Sequence, residues 1–219
     1  MNKNMREENR ILLLGNGGHC RSVMDSIIAS NHFTQIGIIV EPGSRELNLD
    51  NIVGTDNDLT ILYRQGWNNA FITVGSVGDT SVREKLFQII KEIGFTIPCI
   101  IDTTSTVSKT ARLGEGVYIG KKAIVNANSQ IGDCSIINTG AIIEHDCTIG
   151  SFVHVSTGAL LCGEVCVGHY THIGAGTVIR QQIKVGCRSL IGIGSTVVKD
   201  IPDKVVAYGN PCCIKKDFS

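Results

Sequence analysis

What this chain lacks narrows it before any motif is considered. It has no net charge: Lys plus Arg and Asp plus Glu stand at 20 each. A surface that coats a polyanion carries an excess of cations, so nucleic acid is not the expected partner, though a local anion site stays open. It also has no long hydrophobic run. After the polar start MNKNMREENR, only Ile11 to Leu14 are apolar before Gly15. That is neither a signal peptide nor a membrane span, so a cytoplasmic protein with no membrane partner is expected. The nine cysteines lack the order of a disulfide framework or a zinc site. Cys162 and Cys166 are four apart and Cys212 and Cys213 are adjacent, so reduced thiols and no structural metal are expected.

Glycine, by contrast, is abundant at 25 residues, well above average usage, and asks for many turns. The first hundred residues read as alternating strand and helix. Ile11 to Leu14 is a short buried strand, and Arg21 to Ala29 has helical spacing with Val23, Ile27 and Ile28 on one face. Ile36 to Val40 reads as a second strand ended by Glu41-Pro42-Gly43, and Ala70 to Val74 as a third. Ser81 to Ile93 reads as a helix, with Val82, Leu86, Ile89, Ile90 and Ile93 at intervals of three and four. Strands separated by helices imply parallel pairing, hence a small doubly wound, Rossmann-like α/β domain over residues 1–98.

From Ile101 the pattern changes. Every sixth residue is aliphatic, from Ile101, Val107, Leu113 and Ile119 on to Ile191 and Val197, with no member missing. Four places after each lies a small or β-branched residue, and glycine is frequent one place after. A period of six fits neither an amphipathic helix nor a hairpin meander. It fits a solenoid of short strands whose aliphatic and small residues point inward, with glycine and asparagine turning the corners. The rhythm breaks after Val198, which marks a cap, so residues 99–219 form the second domain with its C-terminal closure.

The hexapeptide series resembles that of acyltransferases built on a left-handed parallel β-helix. The order of parts narrows the likeness: Gly15-Asn16-Gly17-Gly18-His19, then Asn138-Thr139, Glu144-His145-Asp146, His154-Val155-Ser156 and Tyr208-Gly209-Asn210-Pro211. Together these resemble the NeuD/PglD family of bacterial sugar O- and N-acyltransferases. The resemblance implies a homotrimer that takes acetyl-CoA as co-substrate and N-acetylates a nucleotide-linked amino sugar. O-acetylation of a sialic acid is the alternative within the family.

Transfer from a thioester to an amine needs a base that titrates near neutrality, and histidine supplies it. His145, outside the inward series and flanked by Glu144 and Asp146, is the candidate. By resemblance, His145 is the general base, Asp146 orients it, and the Gly163 amide binds the oxyanion, its missing side chain admitting the thioester. Also by resemblance, Asn138 contacts the sugar and His154 the substrate or acyl group. CoA contacts are expected at Gly174, Ala175, Gly192 and Ile193. His154 and His172, eighteen apart, should stack on neighbouring coils. His169 and His172 are expected to be plain surface or interface residues.

The turn Gly15-Asn16-Gly17-Gly18-His19 follows a strand and opens a helix, so Gly15, Gly17, Gly18 and His19 can offer N–H groups to a phosphate. Cys20 stands where a third glycine of the dinucleotide fingerprint would fall, which disfavours an NAD-dependent reductase. Glu41 could bond a ribose or base. Relatives that bind UDP-sugars tend to carry two adjacent acids there, and Val40-Glu41 departs from that. Two further readings stay open: a γ-type carbonic anhydrase with three zinc histidines, disfavoured because His169 and His172 are three apart where that family has five, and a non-catalytic sugar-nucleotide-binding trimer.

Overall fold

The structure, a computed structural model, describes residues 9–41 and 51–218. Pro42 and Gly43, expected to end the second strand, lie outside the described residues. The chain falls into two compact units. The first runs up to Gly75 and resumes over Val82–Pro98; the second takes Ser76–Ser81 and everything from Cys99. The segment Ser76–Ser81 thus departs from a single cut at residue 98.

In the first unit, β1 (Arg10–Leu14), β2 (Gln35–Val40), β3 (Ile52–Thr55) and β4 (Asn69–Ile72) form a parallel sheet in the order β3-β2-β1-β4. Helices α1 (Gly18–Ser30), α2 (Leu59–Arg64) and α3 (Ser81–Ile93) accompany it. Ile11 to Leu14 are fully buried, which explains the unbroken apolar run: a central parallel strand is covered on both faces. Sequence reading did not anticipate β3 and α2. Ile28, expected on the inner face of α1, is 62% exposed, and Val82 of α3 is also exposed; Val23, Ile27, Leu86 and Ile90 are buried.

The second unit is a parallel β-helix. Ile136 pairs with Tyr118 on one side and His154 on the other, so one coil takes eighteen residues and three hexapeptides. Two-residue strands build three walls: the first from Ile100, Tyr118, Ile136, His154, His172 and Leu190; the second from Thr106 to Thr196; the third from Arg112 to Lys184. The aliphatic series lines the interior from Ile119 to Val197, each side chain contributing roughly 1.5–3 kcal/mol on burial. Ile101, the first of the series, is half-exposed. Inside, hydroxyls take the inner carbonyls, as Ser135 Oγ donates to Gly150 O at 2.8 Å and Thr171 Oγ to Gly186 O at 2.6 Å.

The corners turn differently from the sequence expectation. Left-handed backbone falls three places after each aliphatic residue, without interruption from Gly116 to Gly194, and most of these residues are not glycine: Lys122, Asn128, Cys134, Asp146, Phe152, Glu164, Tyr170, Gln182 and Arg188. Many of their amides donate to the previous coil, as Phe152 N–H does to Asp133 O at 2.8 Å and Tyr170 N–H to Ser151 O at 2.9 Å. Those bonds offset the conformational cost. The glycines one place after the aliphatic residues serve stacking: a Cβ on Gly132 would lie 2.5 Å from Ser151 N, and one on Gly168 2.6 Å from Cys187 N.

The last coil is shorter. Leu190 pairs with Val206 and Val185 with Ile201, sixteen residues on. Strand Val205–Tyr208 extends the first wall, and Cys213–Asp217 runs back antiparallel along it.

Candidate active site

His145 sits on the corner between the second and third walls, just after the two-residue strand Ile142–Ile143. The next residue, Asp146, has φ +59° and donates its N–H to Ala127 O at 2.9 Å, one coil back. That backbone turn brings Asp146 Oδ2 to 2.8 Å from His145 Nδ1. A carboxylate can only accept, so Nδ1 carries the proton and Nε2 keeps its lone pair. The second oxygen of Asp146 accepts from Asn128 Nδ2 at 3.2 Å. The hydrogen bond that His145 donates to Asp146 holds the imidazole above the ordinary histidine pKa, with the charges of Asp146, Glu144 and Glu164 adding to it. Asp146 is held below the ordinary carboxylate range by the His145 bond first and the Asn128 bond second.

Gly163 lies one coil beyond His145. A Cβ there would come within 2.6 Å of both Cε1 and Nε2 of the ring, so only glycine leaves room for this imidazole. The space expected to admit a thioester is taken by the histidine. Gly163 O accepts from Gln182 N–H at 3.0 Å, while the Gly163 N–H donates to no group among the described residues. The imidazole thus stands beside a buried glycine whose N–H has no acceptor among the described residues. Sequence reading missed Asn128; its only signal is an amide residue eighteen places before Asp146.

His154 and Asn138 lie elsewhere, on the first wall and at the corner that follows it; within one chain the fold does not bring them to His145. His154 Nδ1 donates to Ser76 O at 3.0 Å, and its Nε2 accepts from Asn138 Nδ2 at 3.2 Å. Thr139 N–H donates to Asn138 Oδ1 at 2.7 Å, which fixes the amide's orientation. His172 does stack on His154, edge to face at 4.9 Å, and it is buried, so of the surface or interface role expected the surface one does not hold. Burial first, and the neighbouring His154 second, push its pKa down to about 4. Its Nε2 shares a hydrogen bond with Ser156 Oγ at 3.2 Å. His169 is exposed and accepts from Ser151 N–H at 2.9 Å.

Gly174, Ala175, Gly192 and Ile193 share the corner between the first and second walls. A Cβ on Gly174 would lie 2.6 Å from Ile193 N, and one on Gly192 2.7 Å from Tyr208 Cβ, so coil stacking alone accounts for both glycines. Ile193 is 80% exposed.

In the first unit, Gly15, Gly17, Gly18, His19 and Glu41 all line one cavity of about 500 Å³, together with Asp56, Thr73 and Lys85, which sequence reading did not find. Asp56 follows the overlooked β3, and Lys85 belongs to the exposed face of α3. Gly15 has φ +113°, and a Cβ there would lie 2.9 Å from Val74 Cγ2; its carbonyl accepts from Thr73 Oγ at 2.7 Å. Around Gly17 and Gly18 a Cβ would meet nothing within 4 Å. Helix α1 has no side-chain cap and no acid in its first turn, which leaves its amides for an anion. Burial first and the charge of Glu41 second raise the Asp56 pKa, against the opposing pull of Lys85.

A β-helix of hexapeptides with an α/β unit before it and an anchored imidazole on its corner defines a hexapeptide-repeat acyltransferase. The chain belongs to the NeuD/PglD family of such proteins, which fixes the β-helix as left-handed. The PglD N-terminal domain model matches residues 10–90. Perosamine N-acetyltransferase from Caulobacter crescentus, solved as a histidine-to-asparagine variant with CoA and GDP-perosamine, is 35% identical; the match covers 94% of this chain and 97% of that one, with TM-score 0.88. The acetyltransferase domain of PglB from Neisseria gonorrhoeae, solved with acetyl coenzyme A, is 31% identical over 95% of this chain and 100% of that one, with TM-score 0.88. WeeI from Acinetobacter baumannii, 24% identical over 94% of this chain and 99% of that one with TM-score 0.83, supports the fold. No curated protein sequence matches. Among the described residues no helix is long and apolar enough to cross a membrane, and no group of three or more His, Cys, Asp or Glu could hold a metal ion.

Proposed function

We propose that this chain is an acetyl-CoA-dependent N-acetyltransferase of a nucleotide-linked amino sugar, working as a cytoplasmic homotrimer. The observation that carries this reading is the Nδ1-anchored imidazole of His145 beside Gly163, whose N–H has no acceptor among the described residues. The relatives solved with CoA, acetyl-CoA and a GDP-linked amino sugar support it.

In this reading the amine nitrogen attacks the thioester carbonyl and His145 Nε2 takes the amine's proton. Asp146 favours the imidazolium that forms, and the Gly163 N–H donates to the developing oxyanion. The thiolate of CoA then leaves as the amide forms. Cavity residues Gly15, Gly17, Gly18 and His19 hold the diphosphate and Glu41 the nucleoside. Asn138 meets the sugar, with His154 beside it, and Gly174, Ala175, Gly192 and Ile193 border the CoA. Because His145 and His154 lie on different sides of one β-helix, the trimer supplies the wall that completes each site.

UDP-, dTDP- and GDP-amino sugars and free sialic acids, each offered with acetyl-CoA and followed by thiol release, test the reading. An amino sugar should be acetylated fastest. Reaction of sialic acids alone would replace N-acetylation with O-acetylation, and a stable monomer by light scattering would remove the shared site.

A further inference from the structure

Resting on that reading, we infer that Asn128 is a positioning residue for the reaction, acting through Asp146 to hold the His145 ring with Nε2 facing the substrate amine. Three observations carry it. Both carboxylate oxygens of Asp146 are engaged, Oδ2 by His145 Nδ1 at 2.8 Å and Oδ1 by Asn128 Nδ2 at 3.2 Å. The Asn128 backbone is itself tied down, its N–H donating to Thr110 Oγ at 3.0 Å on the coil before. And Asn128 and Asp146 share the same left-handed corner conformation, both at φ +59°, so the amide and the carboxylate project in register eighteen residues apart.

The need for a second anchor follows from exposure. The side chains of His145 and Asp146 are 56% and 48% exposed, and an ion pair in that setting does not by itself hold two rotatable side chains in one geometry. A carboxylate gripped at its other oxygen cannot swing away. Asparagine suits the position twice: its amide donates where aspartate would repel, and it tolerates a positive φ better than most residues.

Asn128→Gly isolates the side chain, because glycine accepts the left-handed corner at no steric cost and the coil is retained. Losing one hydrogen bond to a charged, half-exposed group should lower kcat about tenfold while KM for both substrates stays within about twofold. The midpoint of thermal unfolding should hold or rise. Water replaces the lost donor at Asp146, so the carboxylate keeps its charge and loses its orientation. The groups that raise the imidazole pKa are Asp146, Glu144 and Glu164, of which only Asp146 is hydrogen-bonded to it. In Asn128→Gly the His145 pKa, read by NMR titration of the full chain, should therefore fall towards the ordinary histidine value. Asn128→Asp should move it the other way, by adding a negative charge next to Asp146. A glycine variant with unchanged kcat and unchanged His145 titration overturns the inference. If the unaltered protein acetylates no amino sugar yet the titration shifts as stated, the functional reading fails and the anchor stands.

Discussion

A methyl group added at Gly17 or Gly18 in the α/β unit would meet nothing within 4 Å, whereas one added at Gly132, Gly150 or Gly168 in the β-helix would strike the next coil at 2.5 to 2.7 Å. The same residue type borders a cavity in one unit and lets backbone close on backbone in the other. On steric grounds the fold requires the glycines between coils and does not require Gly17 or Gly18. Gly163 is a third case, since what it makes room for is the imidazole of His145.

Four experiments can break or sharpen that contrast. The largest effect is expected for His145→Ala, which should lower kcat by a factor on the order of 100 to 10,000 with thermal stability unchanged, because the ring is exposed and packs into no core. Gly150→Ala should do the reverse, costing about 3 kcal/mol or preventing folding; chemical denaturation measures it, and a variant of ordinary stability would refute the stacking account.

A third, comparable effect concerns pH. His172 is buried with a folded pKa of about 4 against an ordinary 6.5, so the unfolded chain binds more protons between those values. The stability it contributes is present above pH 6.5 and is lost as the pH falls towards 4, by up to about 3 kcal/mol. His172→Phe should flatten unfolding free energy across that window, and an unchanged slope would remove the account. The smallest effect is Gly17→Ala: stability within about 0.5 kcal/mol, with KM for the nucleotide sugar raised several-fold as the methyl enters the cavity.

How much of this was legible in the sequence depends on how local the signal is. The hexapeptide series announced the β-helix because each coil repeats the same burial problem. Ser81 to Ile93 was read to its ends, since helical periodicity is carried within the segment. The strand Ile52–Thr55 was missed because only three of its four residues pair, and one of those is a glycine. His145, Asp146 and Gly163 were named from motif likeness, yet the reason for Gly163 appeared only when the ring was seen to fill the space. Asn128, Asp56 and Lys85 join their sites across coils or from separate elements, a relation that linear spacing hardly records. Ile28 and Val82 failed for the opposite reason: periodicity marks a face, but not what covers each end of it.

The shortened last coil also has a consequence for assembly. With Leu190 answered by Val206 after sixteen residues and Cys213–Asp217 folded back antiparallel, the first wall ends in an exposed strand of reversed direction carrying Lys215, Lys216 and Asp217. A stack that grows only by adding parallel strands finds no template there. The reversed direction and the two lysines of that edge strand disfavour continuation of the wall by another parallel strand.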